Sequence, residues 1–76
     1  MYWKPNLVSA RWAGADLVFD AATNVGVVRY IVRGSRLENA AQRTGQEALE
    51  SNLPRLKPLI IERSRSLQPG KVLTID

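Results

Sequence analysis

The stretch from Val25 to Glu38, VGVVRYIVRGSRLE, constrains the fold most, because it predicts a strand, a turn and a helix start in direct succession. Alternate residues of a strand point to opposite faces of a sheet, so Val28, Tyr30 and Val32 share one apolar face. The residues between them form a mixed face that carries two arginines. The even-numbered face is therefore predicted to be the core face.

The charges of the preceding segment predict how it pairs with this strand. A second strand is expected from Asp16 to Ala21, with its odd-numbered apolar residues pointing inward. If Phe19 pairs with Tyr30, apolar residues meet on the inner face, and a two-residue turn at Asn24-Val25 closes the hairpin. The same register places opposite charges side by side on the outer face, Asp20 with Arg29 and Asp16 with Arg33.

An earlier strand is predicted from Leu7 to Trp12, followed by a tight turn at residues 13–15. Its alternation places Val8, Ala10 and Trp12 on one face, which pairs Trp12 with Leu17 and Ala10 with Phe19. Residues 1–6 are expected to be an irregular lead-in, because Pro5 cannot donate a hydrogen bond to a sheet.

The inner face of this three-stranded meander needs a cover, and helices are predicted to supply it. Ser35 followed by Glu38 is a capping box, which predicts a helix from Ser35 to about Arg43. Thr44 with Glu47 is a second such box. It opens an amphipathic pattern that runs to Leu67.

Two prolines interrupt this second helical pattern, and an interior proline costs on the order of 3 kcal/mol or more. The segment 46–67 is therefore either one kinked helix or two. The preferred solution ends a short helix near Ser51 or Asn52 and restarts it with Asn52 as the cap, which places Pro54 in a tolerated first turn and leaves Pro58 to kink the helix.

Residues 71–75, KVLTI, predict a last short strand at a sheet edge. The 76 residues are long enough for one domain only. The predicted fold class is thus α+β: a single domain, residues 1–76, with a three- to four-stranded antiparallel sheet (a meander) and two or three helices packed on one face.

The order of these elements resembles a known family. The run LVFDAA after Trp12, then GVVRYIVRGSRLENA, a helix marked by leucine and isoleucine, and the closing KVLTID resemble the small bacterial proteins catalogued as domain of unknown function 1488. The resemblance covers residues 7–76. It implies a curved antiparallel sheet with helices on one face and a long, uninterrupted second helix, from which Pro54 and Pro58 depart. It implies no activity and no functional residues.

The composition argues against an enzyme. The chain has no cysteine and no histidine, so the usual metal ligands and the usual general base are missing, and we expect no metal ion and no cofactor. Glu47 and Glu50 stand three residues apart, yet a solvated acidic helix start explains them. The sequence shows neither an apolar run long enough for a bilayer nor a signal peptide, so a cytoplasmic protein without a membrane partner is expected.

A protein-interaction role is the leading hypothesis, with a protein partner or a homodimer as alternatives. It depends on the outer sheet face, where Val18 and Ile31 lie opposite each other between the two predicted charge pairs. The candidate interaction face comprises Val18, Ile31, Arg29 and Arg33.

Binding of nucleic acid or another polyanion is the alternative function. The net charge is +4, and arginine supplies eight of the eleven basic side chains. The candidate anion contacts are Arg36, Arg55, Lys57, Arg63 and Arg65. Against this function, no aromatic residue for base stacking occurs after Tyr30.

Overall fold

The structure, a computed structural model, describes residues 2–38, 40–66 and 72–76. They form an α+β fold with one four-stranded sheet and, within these ranges, one α-helix. The strands are β1 (Trp3–Ala13), β2 (Asp16–Thr23), β3 (Gly26–Val32) and β4 (Val72–Ile75), in the spatial order β1-β2-β3-β4. The helix is α1 (Gly45–Arg63), and two single 3-10 turns lie at Gly34–Arg36 and Ser64–Ser66.

The β2–β3 hairpin has the register that the sequence predicts. Phe19 pairs with Tyr30, and the ladder continues in both directions to Leu17–Val32 and Thr23–Gly26. Gly26 has a φ of 102°, and the hydroxyl of Thr23 both accepts from the Val25 amide and donates to the Gly26 carbonyl. The turn chemistry and the pleat therefore specify the same register.

The sheet is mixed, so the prediction of a wholly antiparallel sheet is wrong. β4 runs parallel to β3, with Arg29 opposite Val72 and Val32 opposite Ile75. The chain leaves β3, passes through α1 and returns to the same sheet, and such a crossover joins parallel strands. The predicted edge strand is confirmed for residues 72–75, whereas Lys71 lies outside the described residues.

β1 begins at Trp3, so residues 3–6 are not an irregular lead-in. Trp3 is buried against Phe19 and Tyr30, with ring centroids 6.3 Å and 6.2 Å away in edge-to-face geometry. β1 is an edge strand, where Pro5 is tolerated because its missing amide removes no ladder bond when it faces away from the partner strand. Met1 lies outside the described residues.

A bulge with three extra residues interrupts β1, and part of the predicted register of this strand is therefore wrong. Asn6 pairs with Asp20 and Arg11 pairs with Val18, so the four residues 7–10 stand opposite Phe19 alone. Trp12 still pairs with Leu17 as predicted. The predicted pairing of Ala10 with Phe19 is wrong. The three extra residues also change which side chains point inward, so Val8 does not share the inner face with Ala10. Val8 is instead 83% exposed.

Ser9 holds this bulge in place. Its hydroxyl accepts a hydrogen bond from the Asp20 amide at 2.8 Å and donates to the Asn6 carbonyl at 2.6 Å. Arg11 donates from Nη1 to the Ser9 carbonyl at 2.9 Å. The serine thus satisfies the β2 amide that faces the interrupted part of the ladder.

The predicted helix from Ser35 does not form, so the described residues contain one α-helix instead of the predicted two or three. Residues Gly34–Arg36 make a single 3-10 turn that has no side-chain cap. A Cβ at Gly34 would lie 2.6 Å from the Ala15 carbonyl oxygen, so this turn sits against the first hairpin. Asn39, within the predicted helix, lies outside the described residues.

The second capping box is confirmed. The Glu47 amide donates to the Thr44 hydroxyl at 3.1 Å, and the Thr44 amide donates to the Glu47 carboxylate at 3.0 Å. Gly45, the first residue of α1, is buried against the bulge, where a Cβ would lie 2.7 Å from the Cα of Arg11. Only glycine allows the helix to approach β1 this closely.

α1 is continuous over 19 residues, so the predicted break near Ser51 or Asn52 is wrong. Pro54 and Pro58 are four residues apart and both exposed. The carbonyls that they leave without helical donors belong to Glu50 and Pro54, which lie on the same exposed stripe, where water can satisfy them. Leu67, at the end of the predicted pattern, lies outside the described residues.

The core lies between the inner face of the sheet and α1. Phe19 and Tyr30 stack at 5.4 Å, and the Tyr30 hydroxyl hydrogen-bonds the buried Ser64 hydroxyl at 2.9 Å. From α1, apolar side chains at helical spacing are fully buried against this cluster: Ala48, Leu49, Leu56 and Ile60. The opposite face of the sheet contributes no residue to the core cluster.

Candidate interaction face

The outer sheet face is the surface of the sheet opposite α1. Strand register and pleat place the following residues on it: Lys4, Asn6, Arg11, Ala13, Asp16, Val18, Asp20, Ala22, Val27, Arg29, Ile31, Arg33, Val72 and Thr74. The face carries four cations and two carboxylates, a surplus of two positive charges. All four residues of the predicted interaction face belong to it.

Both predicted charge pairs form. Arg29 Nε lies 3.1 Å from Asp20 Oδ1, and Arg33 Nη1 lies 3.2 Å from Asp16 Oδ2. Asp16 also accepts a hydrogen bond from the Gly34 amide at 3.2 Å. Exposed pairs of this kind contribute about 0–1 kcal/mol each, so they define orientation on the face more than stability.

Val18 and Ile31 lie opposite each other between these pairs, as predicted, but they expose little surface. Val18 is only 7% exposed and Ile31 is half-buried. Neither residue belongs to the core cluster. This pair therefore offers little apolar surface to a partner, although both residues lie where the register predicts.

The exposed apolar surface of this face lies towards one end of the sheet. Val27 is 69% exposed and Val72 is 54% exposed. Beside Val27 a groove with a volume of about 450 Å³ lies between β1 and the end of the β2–β3 hairpin. The groove is lined by Lys4, Pro5, Asn6, Leu7, Asp20, Ala21, Ala22 and Val27.

Arg55, one of the predicted anion contacts, is occupied by protein groups. Its Nη2 donates to the Arg36 carbonyl and, at 2.8 Å, to Asn52 Oδ1. Its Nε lies 3.8 Å from Glu38 Oε1. This arginine therefore fastens the segment that precedes α1 to the helix.

The other predicted anion contacts do not form one stripe. Lys57 is two positions beyond Arg55, which corresponds to about 200° around the helix, so the two side chains leave α1 on different sides. Arg63 lies 3.8 Å from the Asp76 carboxylate. Arg36 and Arg65 are exposed, each in a different 3-10 turn. The structure thus disperses the basic residues that the sequence groups together.

The carboxylates considered for acid–base chemistry have structural partners. The hydrogen bonds from the backbone amide and the hydroxyl of Thr44 hold the pKa of the Glu47 carboxyl below its ordinary value. Glu50 accepts from Gln46 Nε2 at 3.4 Å. A lowered pKa keeps Glu47 ionised, which suits a helix cap and does not suit a general acid.

Residues 2–38, 40–66 and 72–76 contain no group of three or more Asp and Glu side chains close enough to hold a metal ion. Within the same ranges, α1 is not apolar enough to cross a membrane.

Sequence reasoning missed the groove because it placed residues 1–6 outside the sheet. Lys4 and Asn6 pair with Ala22 and Asp20 on the outer face, and only the bulge in β1 reveals this register. The available signal was Trp3, a large aromatic residue that a lead-in would leave exposed.

No family model, no curated protein and no solved structure matches this chain.

Proposed function

We propose that this chain is a small non-enzymatic binding module that acts on another protein through the outer sheet face. The observation that carries the proposal is the asymmetry of the sheet. One face is buried under α1, whereas the other contributes nothing to the core and exposes Val27 and Val72 among charged side chains. Apolar side chains framed by charges are typical of protein interfaces.

The charge of the face favours a distinct, acidic partner protein over a second copy of the chain. Stacking two identical outer faces would bring their positive surpluses together, and like charges across an interface cost several kcal/mol. A partner that presents carboxylates around apolar side chains complements the same surface. The resemblance to domain of unknown function 1488 stays a prediction and adds no activity to this proposal.

Nucleic-acid binding has less support. Arg29 and Arg33 are engaged by aspartates, the basic residues of the helix layer are dispersed, and Trp3, Phe19 and Tyr30 all point into the core. Single-strand binding needs aromatic side chains on the same surface as the cations. Titration of labelled duplex and single-stranded oligonucleotides at low salt tests this alternative: tight binding that weakens as salt rises would favour it over the protein partner.

Site-specific crosslinking in cells tests the main proposal. A photo-reactive amino acid in place of Val27 reports on the outer sheet face, and the same residue in place of exposed Lys57 reports on the helix layer. We expect a protein that is captured from position 27 and not from position 57. Equal capture from both positions, or none from position 27, would contradict the proposal.

The captured protein must then bind as a purified partner. Lys4→Glu and Lys57→Glu make the same change in net charge on opposite layers, so they form a matched pair. We expect Lys4→Glu to weaken binding about tenfold or more, because it places like charges across the interface, and Lys57→Glu to leave the affinity unchanged. Sedimentation of the free chain over a concentration range tests the homodimer: a dimer that Lys4→Glu strengthens would favour self-association instead.

A further inference from the structure

The groove beside Val27 combines an apolar wall with one cation, Lys4, which has no ion-pair partner among the residues that the structure describes. We infer that it binds the C-terminal residue of a partner protein, an aliphatic residue whose side chain lies on Ala22 and Val27 and whose free carboxylate meets Lys4. The inference rests on the proposed function and names the chemistry of the partner. A volume of about 450 Å³ lies within the range of small ligand sites.

The shape of the groove follows from the register of three strands. Lys4, Ala22 and Val27 lie side by side on β1, β2 and β3. Neighbouring strands are about 4.8 Å apart, so the cation and the valine stand on opposite sides of a small alanine, about 10 Å from each other at the backbone. One residue with its carboxylate on one side and its side chain on the other spans this distance.

The charges of the groove select an anion. Within the described residues Lys4 makes no ion pair. Asp20, the other charged lining residue, is paired with Arg29 at 3.1 Å, which offsets its repulsion of a carboxylate. Lys4 is therefore the charge in the groove that lacks a protein partner, and a carboxylate complements it.

Small probes test the inference with the full chain. N-acetyl-leucine carries an aliphatic side chain and a free carboxylate, N-acetyl-leucinamide lacks the charge, and leucinamide carries the opposite charge. Two-dimensional NMR of the ¹⁵N-labelled chain follows the amides of Ala22 and Val27. We expect N-acetyl-leucine to shift these signals with a dissociation constant on the order of millimolar and N-acetyl-leucinamide to bind about tenfold more weakly.

Two lysine variants locate the charge that makes the difference. Lys4→Met keeps the apolar stem and should bring the affinity for the acid down to that for the amide. Lys57→Met removes a lysine from the helix layer and should change neither affinity.

Three results would overturn the inference: equal binding of the acid and the amide, preferential binding of leucinamide, or no shift at Ala22 and Val27 with any probe. N-acetyl-aspartyl-leucinamide carries its carboxylate on a side chain, so it distinguishes an internal acidic residue from a chain terminus. If this probe binds more tightly than N-acetyl-leucine, the site takes an internal acidic residue and a C-terminal ligand is refuted. The probes do not depend on the crosslinked partner. If no probe binds the groove, this inference fails, while capture from position 27 still supports the proposed function. If position 27 captures no partner, the proposed function fails, while the probe titration still reports on the groove.

Discussion

Asn52 is predicted to stabilise the fold by holding one backbone residue of the segment before α1. It lies in the middle of the helix and is 2% exposed. Its Oδ1 accepts from the Glu38 amide at 2.9 Å, and its Nδ2 donates to the Glu38 carbonyl at 3.0 Å. A single side chain thus satisfies both polar groups of Glu38. Asn52→Ala removes both of these bonds, together with the bonds of Asn52 to Arg55 Nη2 and to the Ala48 carbonyl.

The size of the effect follows from the two bonds to Glu38. A hydrogen bond in a folded protein contributes about 1 kcal/mol net, so losing the two bonds to Glu38 costs about 2 kcal/mol. The other two bonds add little, because Arg55 keeps the Arg36 carbonyl and the Ala48 carbonyl keeps the Ser51 hydroxyl. Alanine is a better helix former than asparagine by up to about 0.7 kcal/mol, which offsets part of the loss. We expect Asn52→Ala to lower the free energy of unfolding by roughly 1.5 kcal/mol. For a chain of this length that corresponds to a fall in Tm of about 6–12 °C.

Urea unfolding followed by far-UV circular dichroism measures the free-energy change, and hydrogen exchange of the Glu38 amide localises it. The control is Ser51→Ala, one position along the same helix on an exposed residue, whose hydroxyl bonds the Ala48 carbonyl at 3.2 Å and accepts from Asn52 Nδ2 only at 3.4 Å. The control should change the free energy of unfolding by less than about 0.5 kcal/mol. An equally small effect for Asn52→Ala, or unchanged exchange at Glu38, would refute the reasoning.

Three further substitutions test other contacts. Gly45→Ala should destabilise the fold by roughly 1–3 kcal/mol in urea unfolding, because its Cβ would lie 2.7 Å from the β1 backbone; unchanged stability would contradict the close approach. Ser9→Ala removes the bonds of the hydroxyl to the Asp20 amide and the Asn6 carbonyl, so it should cost about 1–2 kcal/mol and speed hydrogen exchange of the Asp20 amide; unaltered exchange would exclude the bond across the bulge. Glu47→Gln should flatten the pH dependence of stability. Since the folded pKa of Glu47 is lowered, its contribution to stability is present above the unfolded pKa and is lost as pH falls through the folded pKa. Urea midpoints measured across this pH range follow the loss. If the midpoints of the variant and of the unchanged chain depend on pH in the same way, the prediction is wrong.

The β2–β3 hairpin was predictable because three independent constraints agree. Pleat parity, two opposite-charge pairs and a two-residue turn each specify the pairing of Phe19 with Tyr30. A slip by one residue would violate all three at once. Registers supported by so many local constraints can be derived from a single sequence.

The register of β1 was not predictable by the same reasoning, because a bulge has no simple periodicity. Alternation assumes one residue opposite one residue, whereas here four residues stand opposite Phe19. The pattern that includes Val8, Ala10 and Trp12 is regular in the sequence and is broken in the structure. The bond from the Asp20 amide to the Ser9 hydroxyl, which ties the bulge to the sheet, depends on β2, and the local sequence of β1 does not contain that strand.

The two capping boxes show why a local signature does not suffice to form a helix. Ser35 with Glu38 and Thr44 with Glu47 have the same spacing, yet only the second opens an α-helix. The stability of short helices comes mainly from packing of an apolar face. After Thr44 such a face continues for four turns into the core, whereas the segment after Ser35 offers only a narrow stripe of one leucine and two alanines.

The prolines of α1 extend the same principle to helix interiors. Propensity alone predicts a break, since each proline removes one backbone bond. In the structure both prolines lie on the exposed stripe, and the buried stripe with Leu56 and Ile60 is uninterrupted. The cost is reduced because water replaces the missing donors, and burial of the opposite stripe offsets the remainder.

These errors decided which candidate site the sequence could reveal. The predicted register already placed an aspartate opposite Arg29 and another opposite Arg33, and both pairs are confirmed. These pairs weaken the case for an anion bound at the two arginines. Among the described residues two cations of this face have no carboxylate partner: Arg11, which donates to the Ser9 carbonyl, and Lys4, which lines the groove. Lys4 joins the sheet only through the part of β1 that lies before the bulge. The groove could not be predicted because the bulge could not. The bulge places Val8 in solvent, and the register on its amino-terminal side places Lys4 beside Ala22 in the lining of the groove.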